Sequence, residues 1–430
     1  MDVRIWAIPV LGLLGFLIYD WGLQPLYVHM GMQVVETDFG WLALFILWVG
    51  LAASIVPAKV ERPSDLFLLI YTIACFVWGA SLWGATSLLS LEGGLLLLVL
   101  LFMPAFAIKA GQRYASPALR DYLLPVYLFD RQRLQTVLLA LLGIGAVGAL
   151  WALGAGEFGW ETMYERRLVG RELLLDHVLL GYLINMVAGG VMSLAAFVAG
   201  QRRSLLIGAA ATGFAVLMYW LLGLKSPFVS LLLFCGVGFL LSDRRLTRHM
   251  VSLVLAALLA LFAYVTIEVG TGRYSALADY VIRRVVMVQP EGQSYYLHYW
   301  LELGWPQRML GAPLEGYADW TYLIGDKYLL NAAANLDVNA YLFELIRGGL
   351  PGYLICLSVV TALVLAIDAF YERTGVVEYI GIAGIFAALI VEQAYTTALL
   401  SSGIFLCLLA VMLFSRPVKI GPREPIGIET

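Results

Sequence analysis

Arginine residues outside the apolar segments are the first candidates for chemistry in this chain. The sequence is 61% hydrophobic and only 13% charged, with a mean hydropathy of +0.86. A guanidinium group forms paired hydrogen bonds with phosphate oxygens, so clustered arginines favour a clamp for a diphosphate. The alternative is that each arginine is a solvated charge or pairs with a nearby glutamate, which contributes little stability. The candidates are Arg166, Arg167 and Arg171 in one polar segment and Arg283 and Arg284 in another.

A second candidate is the turn Gly223-Leu224-Lys225-Ser226-Pro227. Serine at an N-cap followed by proline at the first helical position predicts the start of a helix. Such a start presents free backbone N–H groups and the positive end of the helix dipole beside Lys225, which together indicate an anion site. A plain helix cap with a lysine that reaches the interface fits the same residues.

A third candidate is the aromatic segment 293–304. At helical spacing Tyr295, Tyr299 and Glu302 share one face, and His298 lies four residues before Glu302. Aromatic residues at this density predict an amphipathic helix lying in the headgroup layer, and their faces could also stack on sugar rings. His298 and Glu302 are candidate proton acceptors. An ordinary aromatic belt with a structural histidine is the alternative.

A fourth candidate leads from this polar region into the next apolar segment. Asn335 and Asp337 precede it, and Glu344 and Arg347 lie within its first turns. Charged groups that enter a membrane helix usually face the protein interior or a wet cavity. We therefore expect Asp337 and Glu344 as candidate bases and Asn335 and Arg347 as substrate contacts. Mutual neutralisation of Glu344 and Arg347 at i, i+3 is the alternative.

The remaining sequence predicts an all-α polytopic membrane protein, with residues 1–430 as one transmembrane domain. Apolar runs recur near or above the roughly 17–25 residues that span a bilayer as a helix. They are continuous rather than alternating, which favours helices over a barrel. About twelve spans are predicted: 5–19, 40–57, 66–86, 93–108, 135–155, 178–200, 204–223, 227–242, 250–267, 340–367, 378–397 and 400–415.

Basic residues predict the orientation of these spans. Most of the 27 lysines and arginines lie at the termini and in every second short loop, which places them on one side of the membrane. The positive-inside rule then makes both termini cytoplasmic. Residues 156–177 and 269–338 become external loops, and the longer loop is expected to contain amphipathic helices.

The cysteine pattern gives no sign of a metal site. Cys75, Cys235, Cys356 and Cys407 lie in predicted spans, without CxxC spacing or a histidine pair nearby. We therefore predict buried structural cysteines and no metal. We also expect no cofactor and no nucleic-acid partner.

In arrangement and in a few short motifs the chain resembles the Wzy-type oligosaccharide repeat-unit polymerases. Gly223-Leu224-Lys225-Ser226 resembles a family Gly-Ser-Arg-type turn, with lysine where arginine is commoner. Residues 280–284, followed by Pro290 and a tyrosine-rich helix, resemble the arginine segment of the family's long loop. Residues 335–352 resemble its Asn/Asp-rich approach to a late helix that ends in Gly-x-x-Gly.

The resemblance implies a helical glycosyltransferase of GT-C-like architecture in the inner membrane of a bacterium, with the long loop in the periplasm. Both substrates would be glycans on undecaprenyl diphosphate, polymerised into O-antigen or a related polysaccharide of lipopolysaccharide biosynthesis. A chain-length regulator is a further candidate partner. Arg283 and Arg284 are then expected to bind the donor diphosphate, with help from Arg166, Arg167 or Arg171 and from Lys225 and Ser226.

Two other functions remain open from the sequence. An O-antigen ligase would share the topology and would depend more on the loop histidine. A transporter or flippase would be expected to show inverted repeats, broken helices and ionisable residues near the middle of the membrane.

Overall fold

Helices account for nearly all of the regular structure of this chain. The structure is a computed structural model. It describes residues 2–30, 32–114, 133–153, 166, 169–170, 177–283, 288–314, 316–331 and 334–415. Within these ranges the chain forms helices and turns, without β-strands.

An apolar helix occupies the position of each predicted span. Eight of these helices in the described ranges are long and apolar enough to cross a membrane, so the chain is a polytopic helical membrane protein. The other four are shorter, and the total of twelve crossings stays a prediction. The long helices are α1 (Val3–Tyr27), α4 (Leu91–Arg113), α5 (Leu134–Ala152), α6 (Val178–Arg202), α7 (Leu205–Leu222), α9 (Arg244–Gly270), α13 (Ala340–Thr374) and α15 (Tyr395–Phe414). The shorter ones are α2 (Phe39–Ile55), α3 (Pro63–Val77), α8 (Ser226–Leu240) and α14 (Glu378–Ile390).

The polar region between α9 and α13 is itself folded. It contains a π-helical turn at Ala278–Ile282, then α10 (Gln289–Glu302), α11 (Trp305–Leu310) and α12 (Trp320–Leu329). Proline is the second residue of α10 and of α11, and Asp319 caps α12 by accepting a hydrogen bond from the backbone of Thr321. We call this end of the helix bundle the loop side and the other end the opposite side.

The first half of α10 lies inside the helix bundle. Every residue from Gln289 to Leu297 is buried, and the helix packs against Trp78–Leu82, α4 and α13. The Gln293 amide donates a 3.2 Å hydrogen bond to the Cys75 carbonyl, in the π-helical turn at the end of α3. The prediction that this segment lies in the headgroup layer is therefore wrong for its first half. Only the second half, from His298 onward, reaches the surface.

Helix α13 is interrupted near the loop side. Gly349 has a φ of 63° and a ψ of −160°, a backbone conformation that only glycine adopts easily. The carbonyl of Ile346, one turn earlier, instead accepts a 2.7 Å hydrogen bond from the backbone of Ala312. The break therefore attaches the chain after α11 to the membrane helix.

On the opposite side, a carboxylate from α13 caps α3. Asp368 accepts a 2.8 Å hydrogen bond from the backbone N–H of Ser64, in the first turn of α3, and a second from the Ser64 hydroxyl. Gln112 donates to the same hydroxyl at 2.6 Å. A helix start buried in an apolar bundle requires such partners for its N–H groups.

Helices α6 and α8 approach each other through glycine. A Cβ atom on Gly200 would lie 2.0 Å from the Cys235 carbonyl oxygen, and one on Gly238 would lie 2.1 Å from the Phe197 carbonyl oxygen. The two backbones are therefore in direct contact, as in close packing of membrane helices through small residues.

We expect Gly238→Ala to destabilise the fold, because the added methyl group must separate α6 from α8. Overpacking of this kind typically costs about 1–3 kcal/mol. The matched control is Gly236→Ala on the same helix, where a Cβ atom would meet nothing within 4 Å. The measurement is the apparent Tm of the detergent-solubilised variants. Equal Tm values for the two variants would contradict the direct backbone contact between α6 and α8.

Candidate functional site

Arg283 is held in place through only part of its guanidinium group. Its Nε lies 3.1 Å from both the Asp279 backbone carbonyl and a carboxylate oxygen of Asp279. The guanidinium also sits over the ring of Tyr27, 4.6 Å from its centre. No described residue pairs with its two terminal nitrogens. The arginine is thus oriented, and its bidentate edge is available to an anion.

Asp279 is a stable anchor for this arginine. Burial opposes ionisation, but hydrogen bonds from Tyr27 and Tyr274 and the charge of Arg283 hold the pKa of Asp279 below its usual value. Tyr274 donates to Asp279 at 2.7 Å. Because the carboxylate stays ionised at neutral pH, it fixes Arg283 by a local i, i+4 pair.

Glu291, which sequence reasoning missed, lies in the first turn of α10. Its side chain is buried, and its Oε1 accepts a 2.9 Å hydrogen bond from the Tyr295 hydroxyl. Burial raises the pKa of Glu291 to about 7, against the opposing effects of that hydrogen bond and of the Arg283 charge. A carboxyl group that titrates near neutrality is suited to exchange protons with a substrate. The spacing to Tyr295, i, i+4, is the only sequence signal that could have pointed to it.

His298 lies in a cluster of polar and aromatic groups where α10 meets α12. Its Nδ1 is 2.7 Å from the Tyr328 hydroxyl and 3.8 Å from a carboxylate oxygen of Glu302, as its i, i+4 spacing predicts. No described residue contacts its Nε2 through a hydrogen bond. The ring is partly exposed, so Nε2 is open to a ligand.

Glu302 is less suited to act as a base. It accepts a 2.6 Å hydrogen bond from Lys327, and that bond lowers the pKa of its carboxyl group. Lys327 also lies over the ring of Tyr299, 4.6 Å from its centre. Tyr299 and Lys327 therefore form a charged aromatic surface at the exposed end of the cluster, with Glu302 as its counter-ion.

Tyr295 joins this cluster to Glu291. Its ring stacks on that of Tyr328 with centroids 4.8 Å apart and planes 10° from parallel. Its hydroxyl is occupied by Glu291. The two predicted substrate tyrosines thus differ: Tyr295 is a buried support, and Tyr299 lies nearer the surface.

Glu344 and Arg347 form the predicted i, i+3 pair just before the break in α13. The Arg347 Nε lies 2.9 Å from Oε2 of Glu344. Glu344 is 3% exposed and its Oε1 has no described hydrogen-bond partner, whereas Arg347 is 38% exposed. The pair neutralises a buried carboxylate and leaves the terminal nitrogens of Arg347 without described partners.

The turn at Lys225 forms a separate part of the loop side. Ser226 is the first residue of α8 and Lys225 is its flanking residue, so the predicted serine cap is displaced by one position, and no side chain caps this start. Arg166 lies beside the end of α7, where its Nη1 donates a 2.6 Å hydrogen bond to the Trp220 carbonyl. Its guanidinium also lies 5.6 Å from the ring centre of Tyr219.

The other candidates are positioned differently. Residues 335–337 run beside α10, where the Leu336 carbonyl accepts a 3.1 Å hydrogen bond from Tyr296. Asn335 is partly buried there, and Asp337 is exposed. Arg167, Arg171 and Arg284 lie outside the described residues. Across the described ranges, no three His, Cys, Asp or Glu residues group as a metal site would require.

We expect the stability of the protein to fall as the pH rises from about 5 to 8, in part because of Glu291. Its folded pKa of about 7 exceeds the ordinary value of 4.5, so folding favours the protonated form and ionisation opposes folding. Glu291→Gln should flatten the dependence of apparent Tm on pH over this range. If Tm depends on pH in this variant as it does in the unaltered protein, the raised pKa of Glu291 is contradicted.

Comparison with protein-family models, with curated proteins and with solved structures gives no match for this chain.

Proposed function

We propose that the protein is a membrane glycosyltransferase that polymerises undecaprenyl-diphosphate-linked repeat units. In this proposal the loop side faces the periplasm of a bacterium, and the product is O-antigen or a related polysaccharide. The polytopic helical fold supports it, because both substrates are anchored in the lipid bilayer. The resemblance of the polar loop to that of repeat-unit polymerases supplies the substrate class.

The observation that carries the proposal is the way in which the guanidinium group of Arg283 is held. Its Nε is fixed by Asp279, and its terminal nitrogens have no described partner. This geometry fits a diphosphate, which needs two parallel hydrogen bonds and positive charge. Since diphosphate is a good leaving group, its stabilisation is the main requirement of the reaction, and each fixed donor is worth roughly 100- to 1,000-fold in rate.

The surface formed by Tyr299 and Lys327 supports a role for the same end of the molecule in binding glycans. Aromatic faces stack on sugar rings, and the neighbouring carboxylate and ammonium groups can bond to sugar hydroxyls. Arg347 is a second arginine anchored only through Nε. Arg166 and Lys225 lie at the ends of neighbouring helices and are candidates for the second lipid-linked substrate.

The test is deletion of the gene in its host, followed by gel analysis of the surface polysaccharide. We expect core carrying one repeat unit, with the ladder of longer chains lost. The unaltered gene should restore the ladder. Arg283→Ala should fail to restore it, because removal of the guanidinium lowers turnover by about 100-fold or more. Arg245→Ala is the matched control, an exposed arginine on the opposite side, and should restore it fully.

An O-antigen ligase is the second candidate, and the open Nε2 of His298 favours it. In that case the deletion strain should lose all attached repeat units and accumulate lipid-linked polymer. His298→Ala should reproduce this loss, because attachment would need the imidazole as a base. His249→Ala, at an exposed histidine on the opposite side, should not. A restored ladder with His298→Ala would exclude the imidazole as the base of a ligase.

A transporter is the remaining class. The break of α13 at Gly349 beside the buried Glu344 is the feature that favours it, since broken helices and buried charges mark transport sites. A ladder unchanged in the deletion strain would contradict both transferase candidates.

A further inference from the structure

The residues around Arg283 lie where two membrane helices end. Helix α9 ends at Gly270, just before Tyr274, and α1 ends at Tyr27, whose ring lies under the guanidinium group. Tyr274 is exposed and donates a 2.7 Å hydrogen bond to Asp279, the carboxylate that holds Arg283. Exposed tyrosines at the ends of spans are typical of the headgroup layer of a bilayer. Arg283 is therefore at the level of lipid headgroups.

The surface beside Arg283 is apolar, although the segment belongs to the polar end of the molecule. The end of α1 and the stretch before the arginine are held together by a hydrogen bond from Tyr27 to Asp279. Both stretches expose large apolar side chains, each by 40–59% of its surface: Leu26, Val28, Leu277 and Val281. Exposed apolar side chains around an oriented cation indicate a ligand that is part anion and part hydrocarbon.

Helices α1 and α9 pack directly against each other next to these residues. A Cβ atom on Gly22 would lie 2.6 Å from Cγ1 of Val269, and one on Gly270 would lie 3.3 Å from the ring of Trp21. The π-helical turn Tyr19–Leu23 of α1 also contacts the π-helical turn that precedes Arg283. We call the line of contact between α1 and α9 the seam. Its loop-side end therefore adjoins the arginine.

The seam is open to the bilayer at this end. Trp21 is 51% exposed although its ring lies against Gly270, so the lipid-facing surface of α1 reaches the seam there. Ile267, one turn before Gly270 on the same side of α9, is 69% exposed. A hydrocarbon chain in the outer layer of lipid can therefore lie against both helices without any movement of the bundle.

A lipid with a phosphate headgroup matches both parts of this surface. The terminal nitrogens of Arg283, which have no partner among the described residues, suit the paired oxygens of a phosphate. A water-soluble anion would use the arginine and leave the apolar side chains uncovered. A single prenyl chain fits the line between two helices better than the two acyl chains of a phospholipid do.

We propose that the lipid-linked donor enters sideways from the bilayer, with its diphosphate on Arg283 and the first units of its prenyl chain along the seam between α1 and α9. This inference rests on the proposed function. It adds the route of entry and the face of the molecule that receives the lipid chain.

The first test is photolabelling in nanodiscs with geranylgeranyl diphosphate that carries a benzophenone group in its chain. Mass spectrometry identifies the labelled peptides. We expect labelling near Trp21 and Ile267 that an excess of unlabelled geranylgeranyl diphosphate suppresses. Arg283→Ala should lose this suppressible labelling at an unchanged apparent Tm, which shows that binding rather than folding is lost. Arg245→Ala, at an exposed arginine on the opposite side, should keep it.

A second test changes the contact with the chain. In Ile267→Asn the amide is hydrated at the interface while the seam is free, and it loses that hydration under a prenyl chain. We expect the affinity for geranylgeranyl diphosphate to fall about 10-fold and the affinity for inorganic diphosphate to stay the same. Ile355→Asn is the matched control, at an exposed isoleucine on the lipid-facing surface of α13, and should change neither affinity.

Three results would overturn the inference. Labelling spread over all lipid-facing helices, and not suppressed by the unlabelled compound, would show ordinary contact with bulk lipid. Suppression by phosphatidylglycerol at the same concentration would assign the site to a phospholipid. Equal binding of inorganic diphosphate and geranylgeranyl diphosphate would show that the chain contributes nothing. A ladder that persists in the deletion strain would instead contradict the proposed function, so the two failures are distinguishable.

Discussion

The hydrogen bond from the Gln293 amide to the Cys75 carbonyl attaches α10, which carries Glu291, His298 and Glu302, to the helix bundle. Within lipid each backbone polar group needs a partner inside the protein, and the π-helical turn Thr72–Val77 interrupts the regular helical ladder. Gln293 supplies that partner from a segment that is not itself a membrane span. Because α10 is anchored there, its first turn lies in the bundle and its last turn lies at the surface.

This anchoring sets a gradient of exposure along one helix. Glu291 is buried, His298 is partly exposed and Glu302 is open to solvent, although the three lie within twelve residues. The two glutamates therefore differ. The pKa of Glu291 is raised to about 7 at the buried end of α10, whereas the pKa of Glu302 is lowered beside Lys327 at the exposed end. The stacked rings of Tyr295 and Tyr328 connect the two environments.

Much of this arrangement follows from local sequence, and the rest does not. Apolar runs locate the helices because lipid imposes length and composition directly. Spacing predicts the His298–Glu302 and Glu344–Arg347 pairs, since neighbours at i, i+3 and i, i+4 meet on any helix. The burial of Glu291 was not predictable in this way, because it depends on a contact made 218 residues away. For the same reason the aromatic density of residues 293–304 did not reveal that the first half of α10 is buried in the bundle.

The cap that Asp368 provides to α3 has a consequence for biogenesis. The carboxylate is 304 residues from the Ser64 amide that it satisfies. At roughly 5–20 residues per second, ribosomes synthesise that stretch in about 15–60 s. During this interval the first turn of α3 lacks the partner that Asp368 provides, so its native cap forms only after α13 has been synthesised. A chain truncated before residue 368 would therefore lack the carboxylate that caps α3.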